Sequence, residues 1–65
     1  MTNFEMMYNE LRHYGERIAS RDHETTEGNL ITFYTYKYNE KYYVVTMFNG
    51  GVFMVAEKED IKELL

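Results

Sequence analysis

The sequence predicts a two-layer α+β fold, in which an N-terminal helix, a three-stranded antiparallel meander and a short C-terminal helix follow one another as α-β-β-β-α. Three observations lead there. A capped amphipathic stretch opens the chain, three runs rich in β-branched and aromatic residues follow, and an acidic segment with helical spacing closes it. Residues 1–65 are expected to form a single domain, since chains of this length bury one small core.

The first predicted element is a helix from about residue 3 to residue 20. Thr2-Asn3-Phe4-Glu5 fits the capping box, in which the threonine and glutamate side chains satisfy free backbone N–H groups at a helix start. Apolar positions then recur every three or four residues, at Phe4, Met7, Tyr8, Leu11, Tyr14 and Ile18. Gly15 interrupts this stripe, either because a neighbouring group approaches it closely or because it is a tolerated glycine without a role.

The sheet is predicted from residue 30 onward, after a polar loop at residues 22–29. Strands at 30–38, 42–48 and 52–56 are separated by the dipeptides Asn39-Glu40 and Asn49-Gly50, which are typical of two-residue hairpin turns. The closing segment EKEDIKELL, residues 57–65, has acidic residues first and apolar residues on one side, and it is predicted to form the C-terminal helix.

Alternation of side chains assigns these strand residues to two faces, and both faces are apolar or aromatic. The first face collects Ile31, Phe33, Thr35, Val44, Thr46, Phe48, Phe53 and Val55. The second collects Leu30, Tyr34, Tyr36, Tyr38, Tyr43, Val45, Met47, Val52 and Met54. We expect the helices to cover the first face, which leaves the second without cover from this chain.

An uncovered face of this kind is typical of an interface, because tyrosine and methionine are enriched where proteins meet. We therefore predict a homodimer. Its interface residues are Tyr34, Tyr36, Tyr43, Val45, Met47, Val52 and Met54. The alternative is a one-residue slip at Asn39-Glu40, which would move the tyrosines of the first strand to the other face, in a sheet that curls between helices on both sides.

The composition limits the function classes. The net charge is −4, which argues against binding nucleic acid through phosphate contacts, and the absence of cysteine excludes disulfides and thiolate zinc sites. His13 and His23 are too far apart in sequence to form a local metal pair. The chain carries no membrane-spanning run and no signal-peptide pattern. We therefore expect a cytoplasmic, non-enzymatic protein without metal or cofactor.

The acidic residues suggest a second binding surface for a host protein with a basic surface, although they could equally serve only solubility. The residues proposed for it are Glu24, Glu27, Glu57, Glu59, Asp60 and Glu63. One alternative function is single-stranded nucleic-acid binding, in which bases stack on sheet tyrosines beside Lys37 and Lys41. The other is a purely structural assembly unit, which would form assemblies larger than a dimer.

In size and composition the chain resembles the small accessory proteins of phages and mobile elements, among them inhibitors of bacterial defence systems such as anti-CRISPR proteins. The resemblance is carried by the capped helix TNFEMMYNEL, the tyrosine-rich sheet YTYKYNEKYYVV and the acidic tail EKEDIKELL. It implies an inhibitor or adaptor that acts by stoichiometric binding to a host protein or complex.

Overall fold

One helix and one four-stranded antiparallel sheet account for residues 3–58, the part of the chain that the computed structural model describes. The helix is α1 (Asn3–Tyr14), and the strands are β1 (Glu16–Glu24), β2 (Leu30–Tyr38), β3 (Lys41–Phe48) and β4 (Gly51–Lys58). Each strand pairs with the next in the chain, so the sheet is a meander in the order β1-β2-β3-β4. The architecture is α+β, but the predicted α-β-β-β-α order is wrong, because the described elements run α-β-β-β-β.

The additional strand lies where the end of the helix and the start of the loop were predicted. The helix ends at Tyr14, and the N–H of Gly15 donates to the carbonyl oxygen of Leu11 (2.8 Å), which closes the last turn. β1 then pairs with β2 along its length, with a bulge at Ile18. Every side chain of β1 is exposed. Backbone pairing rather than burial therefore holds this strand, which explains why hydrophobic periodicity did not reveal it.

The predicted C-terminal helix is also wrong at its start. Glu57 and Lys58 belong to β4, where they pair with Tyr43 and Tyr42 of β3. The remainder of that prediction, residues 59–65, lies outside the described residues.

Both predicted hairpin turns are confirmed, and the one-residue slip does not occur. Tyr38 pairs with Lys41, and Phe48 pairs with Gly51. The four turn residues have positive φ, at 51° and 63° for Asn39 and Glu40 and at 48° and 87° for Asn49 and Gly50. Two consecutive left-handed residues characterise the type I′ turn, whose twist matches that of the flanking strands.

A bulge in β4 changes the predicted faces of the last strand. Thr46 pairs with Met54 and Met47 pairs with Val52, so Phe53 is the extra residue on β4. Beyond the bulge, Val55 pairs with Val45 and joins the tyrosine-bearing face, whereas Met54 lies on the opposite face. These two residues are thus exchanged relative to the sequence-based assignment.

The core forms between α1 and the tyrosine-bearing face, which is the opposite of the face expected. Leu11 of the helix packs with Tyr36, Val45 and Val55, and the exposed fraction of these four residues is between 0% and 6%. The partly buried residues that surround them are Tyr8, Tyr34, Tyr38, Tyr43, Met47 and Val52. Four of the five sheet tyrosines therefore pack on the side of α1, and the phenylalanine-bearing face receives no cover from α1.

A short helix can cover so many tyrosines because their rings pack against the core while their hydroxyl groups reach its exposed edge. The rings of Tyr8 and Tyr34 stack with centroids 6.3 Å apart and planes inclined by 8°. The hydroxyl of Tyr38 donates to the carboxylate of Glu10 (3.2 Å) at the exposed edge of the helix. Aromatic rings contribute large apolar area, and their polar ends remain satisfied without deep burial.

Candidate binding surface

The face of the sheet opposite α1 is not covered by any described element, and we call it the open face. Its position follows from the register, since residues that alternate with buried Tyr36 and Val45 must lie on the other side. The exposed fraction of Phe48 is 44% and that of Met54 is 42%. The large apolar and aromatic residues of the open face are Ile31, Phe33, Tyr42, Val44, Phe48 and Met54.

The charged residues of the open face are mostly cationic. By register they are Arg21, Lys37 and Lys58, with Glu16 as the single carboxylate. The rest of the described chain carries seven carboxylates and three lysine or arginine residues. The open face is therefore positive on a protein whose overall net charge is −4.

The seven residues predicted as an interface divide between the two faces. Six of them lie on the face covered by α1, where they form or border the core: Tyr34, Tyr36, Tyr43, Val45, Met47 and Val52. Met54 alone lies on the open face. The premise of that prediction was an uncovered tyrosine face, and the structure corrects it, because the uncovered apolar surface is on the other side of the sheet.

The six predicted acidic residues are not assembled into one surface within the described chain. Glu24 ends β1, and Glu27 lies in the turn that follows. Glu57 lies on β4, at the opposite edge of the sheet, where its carboxylate contacts the ammonium group of Lys41 (3.1 Å). Glu59, Asp60 and Glu63 lie outside the described residues.

Polar contacts fix the end of the open face where Phe48 lies. The side-chain oxygen of Asn49 accepts a hydrogen bond from the backbone N–H of Leu30 (2.8 Å). The backbone N–H of Asn49 donates in return to the carbonyl oxygen of Leu30 (2.8 Å). The side-chain nitrogen of Asn49, Nδ2, also donates to the side-chain oxygen of Asn29 (3.0 Å). The β3–β4 turn and the loop before β2 are thus held together.

Four of the five sheet tyrosines proposed for base stacking lie on the face covered by α1, and Tyr42 lies on the open face. The guanidinium of Arg17 lies 5.2 Å from the ring centroid of Tyr34, and that of Arg12 lies 5.7 Å from the ring of Tyr8. These cation–π contacts stabilise the margin of the core. A nucleic-acid platform would have to use the rings of the open face instead.

Two tyrosines of the covered face have a perturbed pKa. Burial raises the pKa of Tyr36, and the neighbouring Tyr8 adds to this effect while Arg17 opposes it. The pKa of Tyr38 is also raised, first by desolvation and then by its hydrogen bond to Glu10 and the charge of that carboxylate. Both shifts favour the neutral hydroxyl, so these groups act as packing and hydrogen-bonding elements at neutral pH.

A shallow groove with a volume of about 380 Å³ lies between α1 and the β3–β4 turn. It is lined by Glu5, Tyr8, Asn9, Met47, Gly50, Gly51 and Val52.

His13 lies in the last turn of α1 and His23 on β1, and residues 3–58 contain no cluster of three or more side chains suited to hold a metal ion.

No helix among the described residues combines the length and the apolar character that crossing a membrane would require. Comparisons of the chain with protein-family models, with curated proteins and with solved structures found no match.

Proposed function

We propose that the protein is a non-enzymatic binding domain that self-associates through the open face and acts by stoichiometric binding, as an inhibitor or adaptor, on a host protein. The open face is the observation that supports this. It carries Phe48 and Met54 at more than two-fifths exposure on a chain of only 65 residues. Contiguous apolar surface of this kind is characteristic of interaction sites.

The size of the open face suits a small interface. Four strands at a spacing of about 4.8 Å, each contributing about eight residues at roughly 3.3 Å, outline roughly 500 Å² before the relief of the side chains is added. Stable complexes start near 600 Å² of accessible surface per partner. A small domain that lacks disulfides also gains stability from association.

A solution measurement of mass tests self-association directly. We expect light scattering coupled to size exclusion to give twice the chain mass of 7.9 kDa. Val44→Asp, at the centre of the open face, and Met54→Asp, nearer its edge, should each give the mass of a single chain. An aspartate buried between two sheets would lack a partner there, which disfavours association.

The matched control is Met6→Asp, which introduces the same charge at an exposed position of α1 (57% exposed) and should leave the dimer intact. Circular dichroism establishes that each variant is folded. A wild-type protein that remains a single chain at millimolar concentration would refute self-association. So would a dimer that survives both open-face variants.

Self-association through the open face would turn the acidic remainder of each chain outward, toward a partner with a basic surface. Glu24 and Glu27 are the two predicted acidic residues that lie close together in the sequence of the described chain. A host protein held by this charge should be captured from a host lysate by the wild-type protein and lost with the double variant Glu24→Lys/Glu27→Lys. A partner retained equally by both would contradict the role of these carboxylates.

Single-stranded nucleic-acid binding is the second candidate, and the open face provides the observation that favours it. Phe33, Tyr42 and Phe48 lie there together with Lys37 and Lys58. Exposed rings beside cations are the elements of a stacking platform. The test is the fluorescence anisotropy of a labelled twelve-nucleotide oligo-dT, which should fall back to its free value as salt is raised if phosphate contacts contribute.

A further inference from the structure

We infer that the occupant of the open face is a second copy of this chain, packed face to face about a two-fold axis that runs parallel to the strands between β2 and β3. This inference rests on the proposed function and specifies its geometry. Such an axis lies in the plane between the two sheets. It places β1 opposite the partner's β4 and β2 opposite the partner's β3, at the same level along the strands.

The charged residues of the open face support this axis. Cα pairing aligns Glu16, Lys37, Tyr42 and Lys58 in one row across the four strands. Rotation about the proposed axis reverses the row on the partner. Glu16 then faces the partner's Lys58, and Lys37 faces the ring of the partner's Tyr42. The row on one chain therefore matches the reversed row on its partner. Each end of the paired rows has an ion pair, and each inner position has a cation–π contact.

The uncharged rows are self-complementary in size. His23, Ile31, Phe48 and Gly51 form the row at the other end of the open face. The same rotation places the imidazole of His23 over the partner's Gly51, and Ile31 over the partner's Phe48. Large side chains therefore meet small or aliphatic ones, which is what the close packing of two sheets requires.

One of the two middle rows follows the same rule. Arg21, Phe33, Thr46 and Met54 are aligned by their Cα pairing. Reversal sets Phe33 over the partner's Thr46. It also lays the aliphatic part of Arg21 along the partner's Met54, at the edge of the interface, where the guanidinium can remain hydrated.

The alternative two-fold axis, perpendicular to the strands, lacks this agreement. It would place the row of Glu16 and the two lysines over the partner's row of His23 and Ile31. Lys37 would then lie over the partner's Ile31 without a carboxylate or an aromatic ring to compensate its charge. Burying an unpaired ammonium group opposes association, so the charge pattern selects the parallel axis.

The proposed ion pair is within reach. Packed sheets lie about 10 Å apart and cross at roughly 30°, which displaces their corners by about one strand spacing. Lysine, on its flexible four-carbon stem, and an extended glutamate are long enough to meet across such a gap at the rim of the two sheets. Because these pairs lie at the rim, each contributes modestly, and two pairs per dimer double the effect.

Charge reversal tests the axis. Glu16→Lys should place two lysines opposite each other at both ends of the interface, and Lys58→Glu should do the same with two glutamates. At low salt we expect each single variant to dimerise roughly tenfold more weakly than the wild type. The two variants mixed in equal amounts should form a heterodimer with near wild-type affinity, because each of its two contacts again joins a lysine to a glutamate.

Sedimentation equilibrium of the two variants, separately and mixed, measures these affinities. The control for net charge is Glu40→Lys, which lies in the exposed β2–β3 turn. Dimers that persist unchanged in both single variants, or a mixture that fails to recover, would overturn the proposed axis. If Val44→Asp still dissociates those dimers, self-association through the open face survives the loss of this inference. A wild-type protein that is a single chain and binds oligo-dT through Lys37 would overturn both.

Discussion

Replacing Gly15 by alanine tests the close approach at the junction of α1 and β1. A β-carbon at this position would lie 2.8 Å from the carbonyl oxygen of Leu11 and 3.4 Å from that of Lys37. Both opposing atoms belong to the backbone, so neither can rotate away. Overpacking of this kind costs about 1–3 kcal/mol, and the reduced entropy of the unfolded alanine chain offsets about 0.4–1 kcal/mol of that. We expect a net loss of about 1–2 kcal/mol.

The matched control is Gly51→Ala. Its β-carbon would lie 3.7 Å from the carbonyl oxygen of Phe48, an ordinary contact, so only the favourable entropy term should remain. We expect Gly15→Ala to unfold at a lower urea midpoint than the wild type, and Gly51→Ala to unfold at an equal or higher one. Circular dichroism measures both transitions. Equal stabilisation by the two substitutions would show that the helix end relaxes freely, and the reasoning about this junction would be wrong.

Three further predictions concern the core, the turns and alkaline pH. Leu11→Ala removes the buried side chain of α1 and should cost about 2–5 kcal/mol in urea unfolding. Asn49→Ala should cost about 1–3 kcal/mol, mainly because it puts alanine at positive φ and also because it removes an exposed hydrogen bond to the N–H of Leu30. The pKa of Tyr36 is raised in the folded state, so the unfolded chain loses this proton first. Stability is then complete below about pH 10 and falls as pH rises through the folded-state pKa. Urea midpoints between pH 8 and 11 should decline less for Tyr36→Phe than for Tyr42→Phe.

The sequence predicted those parts of the fold whose signal is local. Asn39-Glu40 and Asn49-Gly50 determine turn geometry through residues that tolerate positive φ, and the register of β2 and β3 follows directly from them. The start of α1, which the structure has at Asn3, is predicted by a local signal in the same sense. Of the two readings of Gly15, the close approach is the one the structure supports, although Gly15 lies just after the helix and not inside it.

The parts that were wrong depend on tertiary contacts. β1 exists because the backbone of β2 offers an unpaired edge, and its exposed polar side chains leave no alternating pattern. The bulge at Phe53 carries no distinct sequence mark, yet it exchanges the faces of Met54 and Val55. Because both faces of the sheet are apolar, the sequence also carries no signal that shows which face α1 covers. That choice moved the candidate surface from the tyrosines to the open face.

Both outermost strands of the sheet are bulged, β1 at Ile18 and β4 at Phe53. Each bulge bends its strand and breaks the regular row of backbone donors and acceptors that another chain would need in order to add a strand. Growth of the sheet sideways into ribbons or fibrils is thereby hindered at both borders. In the proposed dimer these bulges favour a closed pair over open polymerisation, because neither edge offers a third chain a regular row of backbone groups to pair with.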